Sequence, residues 1–307
     1  NIHTNQFDYQ SCLCYLQVKS MQQLNLFIEL TRLKKPIGYM LLFWPCAWGL
    51  TLAYDFTNNI NTYLLYIVFF FLGSVLMRSA GCIVNDILDR KFDKRVYRTK
   101  NRPIASGKIS VTLGLTYSII VCLLAFLVLI NFNYFTIIVA LASMPLAFTY
   151  PLMKRYTYWP QLFLGITFNY GLLLGWISVQ ENLSLTPVIF YIGAIFWTLG
   201  YDTIYGFQDI KDDEIIGLKS TSIKFKSKPS IFLIICYSTF LTSLILIGIL
   251  SNMNNLYFLF LILIFFHLFF LQLMKLKINE PLRCLEIFKS NNLLGILVFT
   301  ALVLGKF

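Results

Sequence analysis

Nine apolar runs dominate this chain, at 37–54, 63–84, 111–130, 134–150, 161–179, 187–207, 230–250, 256–276 and 293–307, with short polar stretches between them. A helix that crosses a bilayer needs about 20 predominantly apolar residues, and all but the first, fourth and last runs come close to that length. The balance of 58% hydrophobic against 13% charged residues lies outside the range of soluble domains. The expected fold class is therefore an all-α integral membrane protein with nine transmembrane helices.

The cations set an orientation. Of 25 Lys and Arg, four precede the first run and eight lie between runs two and three. Two more lie between runs four and five, five between six and seven, and four from the end of run eight (Lys275) to the start of run nine. The intervening loops 55–62, 131–133, 180–186 and 251–255 carry none. By the positive-inside rule the N-terminus and every long loop are cytoplasmic. The net charge of +11 then reflects topology and attraction to anionic lipid. Nucleic acid need not be invoked, the lipid bilayer is the expected partner, and no obligate protein partner is evident.

Residues 1–21 read as a polar tail or upstream extension without the apolar core of a signal peptide, and 22–307 as a single membrane-embedded domain. Gln22 to Lys35, with apolar residues at Leu24, Phe27, Ile28, Leu30 and Leu33, has the pattern of an interfacial helix. With no transit peptide in view, the expected location is a bacterial inner membrane, with the mitochondrial inner membrane as the alternative. Four of the seven Cys (Cys46, Cys82, Cys122, Cys236) sit inside apolar runs and read as small packing residues. His3 and His267 are too far apart to suggest a histidine zinc site.

The acids are less evenly spread. Eight of 14 fall in two stretches, Asp86, Asp89 and Asp93 after run two, and Asp202, Asp209, Asp212, Asp213 and Glu214 at or after run six. Asp86, Asp89 and Asp93 recur at helical spacing, as do Asp202, Tyr205, Asp209 and Asp213, so each set shares a helix face. One such cluster could simply pair with its neighbours Arg90, Lys91, Lys94 and Arg95. Two clusters of matching spacing, four runs apart, point instead to two pseudo-repeated four-helix units whose acidic faces meet at a central cavity. Hard oxygen ligands suit Mg²⁺, which binds through a few carboxylates plus substrate phosphates. Two such clusters suit two ions gripping a diphosphate as a leaving group. Arg98, Lys100, Arg102, Lys154, Arg155 and Lys219 supply cations for the same anion.

Arg78 stands apart from these. It lies within run two, seven residues before Asn85, on the same helical face and two turns deeper. An intramembrane Arg marks a functional site by default. Its candidate partners are the carboxylate of an acidic substrate and Asp202.

NDILDRKFDKRVYRTKNRPIASG and YDTIYGFQDIKDDEIIGLKSTSIKF resemble the two aspartate motifs of the UbiA superfamily of intramembrane prenyltransferases. RLKKPIGYMLLFWPCAWG at 32–49 and YPLMKRYTYWPQLFLGITFNYG at 150–171 extend the resemblance over most of the chain. It is most similar to the ubiquinone-pathway branch, which joins a polyprenyl diphosphate to 4-hydroxybenzoate; haem, naphthoate and homogentisate acceptors, or a transporter, are the alternatives. The resemblance implies a UbiA-type bundle around a central cavity. It also implies metal ligands at Asn85, Asp86, Asp89, Asp93, Asp209 and Asp213, with Asp202 and Tyr205 completing the catalytic set and Asp212 as a substitute ligand. Arg98, Arg102, Lys154, Arg155 and Lys219 would face the diphosphate, with Arg78, Asn85 and Asn169 also at substrate. At Gly206 many relatives have a small residue other than glycine, a departure with no mechanistic consequence expected. Trp44, Trp48, Tyr150, Phe168, Tyr170 and Trp176 are candidates to stabilise an allylic cation through their ring faces.

Overall fold

The computed structural model describes residues 20–307, so the expected polar tail falls almost wholly outside the described residues. No strand occurs among them. A helix at 20–31 (α1) turns into α2 (Ile37–Ala53), followed by the long α3 (Ile60–Leu88) and the single turn α4 (Arg90–Asp93). After a stretch of turns come α5 (Val111–Leu129), α6 (Tyr134–Ala142), α7 (Met144–Thr149), a 3₁₀ segment Tyr150–Arg155, α8 (Pro160–Gln180) and α9 (Leu185–Gly206). The short α10 (Ile210–Ile215) and α11 (Thr221–Lys224) precede α12 (Pro229–Leu250), α13 (Asn255–Phe266), a π-helical turn His267–Leu273 and α14 (Pro281–Leu304).

Eight helical segments among the described residues are long and apolar enough to cross a membrane. The first expected span, α2, is a 17-residue apolar helix with Pro45 inside it. At 1.5 Å per residue it is about 25 Å long, less than a typical hydrocarbon core. The expected last span begins at 293, whereas α14 already begins at Pro281. Arg283, Glu286 and Lys289 occupy its first turns, so hydropathy marks where the helix enters lipid and misses where it starts. The fourth expected span is broken at Ser143, which ends α6 and opens α7 with Pro145 in its first turn.

The chain divides into two compact units. The smaller takes the described part of Asn1–Pro36 with Ser79–Val121. Its apolar centre is Leu30, Ile83, Ile104 and Ile109, and the Phe27 ring meets the Tyr117 ring edge-on at 5.2 Å. Gly107, at φ 81, turns the chain where a side chain would be strained.

The larger unit takes Ile37–Arg78 and Cys122–Phe307. Because lipid tails are as apolar as leucine, its helices associate through close packing and interhelical hydrogen bonds. α2 and α8 approach through glycines: a Cβ on Gly49 would lie 1.9 Å from the Leu172 carbonyl oxygen, and one on Gly175 2.3 Å from that of Cys46. Trp48 is fully buried, stacked on Phe190 at 5.6 Å and packed on Trp197 at 4.9 Å. Asn291 on α14, also fully buried, accepts hydrogen bonds from Trp197 Nε1 at 2.8 Å and Gln272 Nε2 at 3.0 Å. Gln272 in turn accepts from Tyr237 OH at 2.7 Å, and its amide meets His267 Nδ1 at 3.2 Å. This network joins α9, α12, the π-helical turn and α14.

Gly175→Ala is expected to cost about 1–3 kcal/mol by overpacking, visible as a lowered Tm in detergent. Gly73→Ala, whose Cβ would meet nothing within 4 Å, should leave the Tm unchanged.

Candidate active site

In the smaller unit the first acidic motif occupies the end of α3 and the turn α4. Asp86, Asp89 and Asp93 are 2%, 1% and 6% exposed, so all three carboxylates leave bulk water, which is costly for a charge unless it is paired. Arg102 resolves part of this: its Nη1 lies 3.1 Å from Asp86 Oδ1 and 2.8 Å from Asp93 Oδ2. One guanidinium nitrogen thus bridges two carboxylates seven residues apart. Burial pushes the Asp93 carboxyl above the usual range; Arg102 pulls it back, the Asp86 and Asp89 charges add to the rise, and a hydrogen bond from Thr99 opposes it. Arg98 lies exposed on the same stretch of turns, and Asn85 is partly buried.

A second cation is present that sequence reasoning missed. Arg32 Nη2 is 2.5 Å from Asp86 Oδ1, and its Nη1 is 3.6 Å from Cys82 Sγ. Counted among the topology-setting residues, and first in the stretch RLKKPIGYMLLFWPCAWG, Arg32 gave one usable signal, its place just past the apolar pattern of α1. Its backbone there is left-handed, φ 58, which costs a residue with a Cβ roughly 1–2 kcal/mol. Both contacts to Asp86 among the described residues fall on Oδ1.

In the larger unit Asp202 and Tyr205 lie near the end of α9, Asp209 immediately before α10, and Asp212 and Asp213 within it, all partly buried. The Tyr205 ring packs 4.4 Å from that of Phe288 on α14. The following segment is tied to both α9 and α8: Ser222 Oγ donates to the Thr203 carbonyl on α9 at 2.8 Å, and Gln161 on α8 accepts from the Thr221 amide at 2.9 Å. A Cβ on Gly206 would lie 2.3 Å from Ser222 Oγ, so this departure from the motif matters for packing.

Two basic stretches meet in the same unit. The Lys219 amide donates to the Lys154 carbonyl at 2.9 Å, and Lys219 Nζ donates to the Tyr156 carbonyl at 3.2 Å while standing 5.6 Å above the Tyr158 ring. Arg155 follows Lys154 in the 3₁₀ segment. Arg78 sits with its guanidinium 5.2 Å over the Phe168 ring, within electrostatic reach of Asp202. A Cβ on Gly38 would fall 2.9 Å from Arg78 Nε, so α2 leaves Arg78 its room by having none there. Asn169 is fully buried and donates to the Gly165 carbonyl and Thr198 Oγ1, while its Oδ1 accepts no hydrogen bond among the described residues. Of the candidate aromatics, Trp48 belongs to the core, and Trp44 Nε1 donates to Asn292 Oδ1 at 2.9 Å.

Among the described residues no group of three His, Cys, Asp or Glu forms a protein cage for a metal. A hard cation that keeps its waters and takes phosphate oxygens needs only one or two carboxylates. Asp86 and Asp93 meet that demand, since they already converge on one cationic nitrogen. The donor set therefore fits a magnesium-like ion brought in with a phosphate ligand.

Residues 42–297 match the model of the UbiA prenyltransferase family. A mitochondrial 4-hydroxybenzoate polyprenyltransferase from Bos taurus is 44% identical over 281 residues, covering 91% of this chain and 75% of that protein. The Homo sapiens counterpart, also mitochondrial, is 41% identical over 281 residues, with 91% and 75% covered. A solved UbiA homologue from Archaeoglobus fulgidus, bound to DMAPP and Mg²⁺, superposes with a TM-score of 0.64 at 18% identity, over 90% of this chain and 98% of that one. The mitochondrial relatives overturn the expected bacterial inner membrane. That expectation rested on a missing transit peptide, and an absence in a sequence that starts at Asn1 carries no such weight. Buried paired acids at helix ends, an all-helical membrane architecture and the match across the chain lead to one conclusion: this chain belongs to the UbiA prenyltransferase family.

Proposed function

We propose that this chain transfers a polyprenyl group from polyprenyl diphosphate to 4-hydroxybenzoate, at the ring carbon ortho to the hydroxyl, in a mitochondrial membrane. The carrying observation is the 44% identity over 91% of the chain to a protein of that activity. The bridged pair Asp86 and Asp93 supports it from the site itself.

Asn85, Asp86, Asp89 and Asp93 would hold one Mg²⁺ and Asp209 and Asp213 another, with Asp202 and Tyr205 completing the second motif. Bound there, Mg²⁺ supplies charge neutralisation that makes diphosphate a better leaving group. Diphosphate leaves with the electron pair of the allylic C–O bond, and Arg98 and Arg102 of the first motif, with Lys154, Arg155 and Lys219 of the later basic stretches, are the cations that would neutralise it. The ring carbon of the acceptor supplies the electrons for the new C–C bond and then loses its proton, restoring the aromatic ring. Apolar helices exclude water that would otherwise quench the allylic cation. Arg78 holds the acceptor carboxylate, its guanidinium set by Phe168 and the gap at Gly38. Asn169 offers its buried Oδ1 as a further acceptor for substrate.

Membranes carrying the protein, supplied with Mg²⁺, a polyprenyl diphosphate and 4-hydroxybenzoate, are expected to yield prenylated benzoate, and EDTA to abolish it. Absence of product, or full activity with EDTA, would overturn the reading. Arg78→Leu is expected to raise KM for 4-hydroxybenzoate at least about tenfold, the scale of a lost charge-assisted pair, with little change for the diphosphate. Equal effects on both substrates would remove Arg78 from the acceptor. Asp86→Asn, which removes one charged contact from each of two guanidiniums, is expected to abolish detectable turnover and cost about 1–3 kcal/mol of stability, read as a fall in Tm.

A further inference from the structure

Arg32 and Arg102 meet the same oxygen of Asp86, yet they are held differently. Arg32 stands at the left-handed end of α1, next to the buried Leu30, and is tied also to Cys82. Arg102 sits on the turns after α4, partly exposed, and bridges two carboxylates that are both candidate ligands. Its Nη1 takes the position between Asp86 Oδ1 and Asp93 Oδ2 that a cation would take.

We infer that Arg102 is a placeholder cation: it fills the place between Asp86 and Asp93 until diphosphate arrives, then yields that place to the divalent ion and moves to the diphosphate, while Arg32 stays on Asp86. The inference rests on the metal reading given above. Two physical points carry it. Buried carboxylates stay ionised at low cost only beside a cation, so a resident one keeps the free site charged and ready for the metal. A guanidinium matches phosphate oxygens as well as it matches carboxylates, so an incoming diphosphate offers Arg102 an equivalent partner. The exchange breaks two ion pairs and makes metal–carboxylate and guanidinium–phosphate contacts, with no covalent change. Its consequence is that metal and diphosphate load together and the metal alone binds weakly.

Binding of Mn²⁺ to the purified full chain in detergent, followed by the EPR signal of the free ion, tests this without turnover. It is measured with and without a non-hydrolysable prenyl diphosphonate. In the unsubstituted protein the diphosphonate is expected to tighten Mn²⁺ binding about tenfold or more, an ordinary coupling between two ligands. Arg102→Gln is expected to bind Mn²⁺ more tightly without the diphosphonate and to lose most of that coupling. Arg32→Gln should keep the coupling factor. Should Arg102→Gln fail to fold, Arg102→Lys carries the same test with a smaller gain, because it keeps a positive charge on a shorter side chain near the two carboxylates. If neither Arg102 variant binds Mn²⁺ more tightly than the unsubstituted protein without diphosphonate, the placeholder role is overturned and the metal site stands. If the unsubstituted protein binds no Mn²⁺ with or without diphosphonate, the metal site falls and the inference with it.

Discussion

Two guanidiniums sharing Oδ1 of Asp86 is the contact on which the acidic end of the chain depends. Moving a carboxylate out of water carries a penalty of several kcal/mol that only a close, hydrogen-bonded partner offsets. The chain meets this by drawing cations from two different places, the end of α1 and the turns after α4. Those ion pairs therefore also join α1, α3, α4 and the 94–110 stretch, around an apolar cluster of only four fully committed residues. In the smaller unit, charge does a share of the work that apolar packing does elsewhere.

The larger unit answers the membrane in the opposite way. Glycines bring α2 and α8 to backbone contact, aromatic rings stack about Trp48 and Trp197, and Trp197, Tyr237, Gln272 and Asn291 hydrogen-bond one another across α9, α12, the π-helical turn and α14. The same frame also carries an arginine. Arg78 has a ring beneath it and a glycine beside it, an arrangement made by three helices, α2, α3 and α8.

Much of this was readable from residues alone, and the failures have physical causes. Apolar run length reports burial in lipid, so it located the helix middles and misplaced the start of α14, where Arg283 and Glu286 pair at 2.8 Å on a polar first turn. It could not show the break at Ser143, because a span with a broken backbone is as apolar as an intact one. The period of the acids told which carboxylates share a face, and Asp86 and Asp93 do converge. Spacing says nothing about partners that are distant in sequence. Arg32, 54 positions before Asp86, was for that reason indistinguishable from its neighbours Lys34 and Lys35. Trp48 is a candidate for facing an allylic cation on its ring chemistry alone, and its neighbours show it as core.

The left-handed backbone at Arg32 sets two demands on one position. Glycine would relieve the bend that ends α1, and it would remove the guanidinium from Asp86. Any search for hardier versions of this protein that scores backbone comfort will keep nominating that exchange. The position is thus a trap for thermostability engineering, where the more relaxed chain is the one whose acidic motif has lost a resident counter-ion.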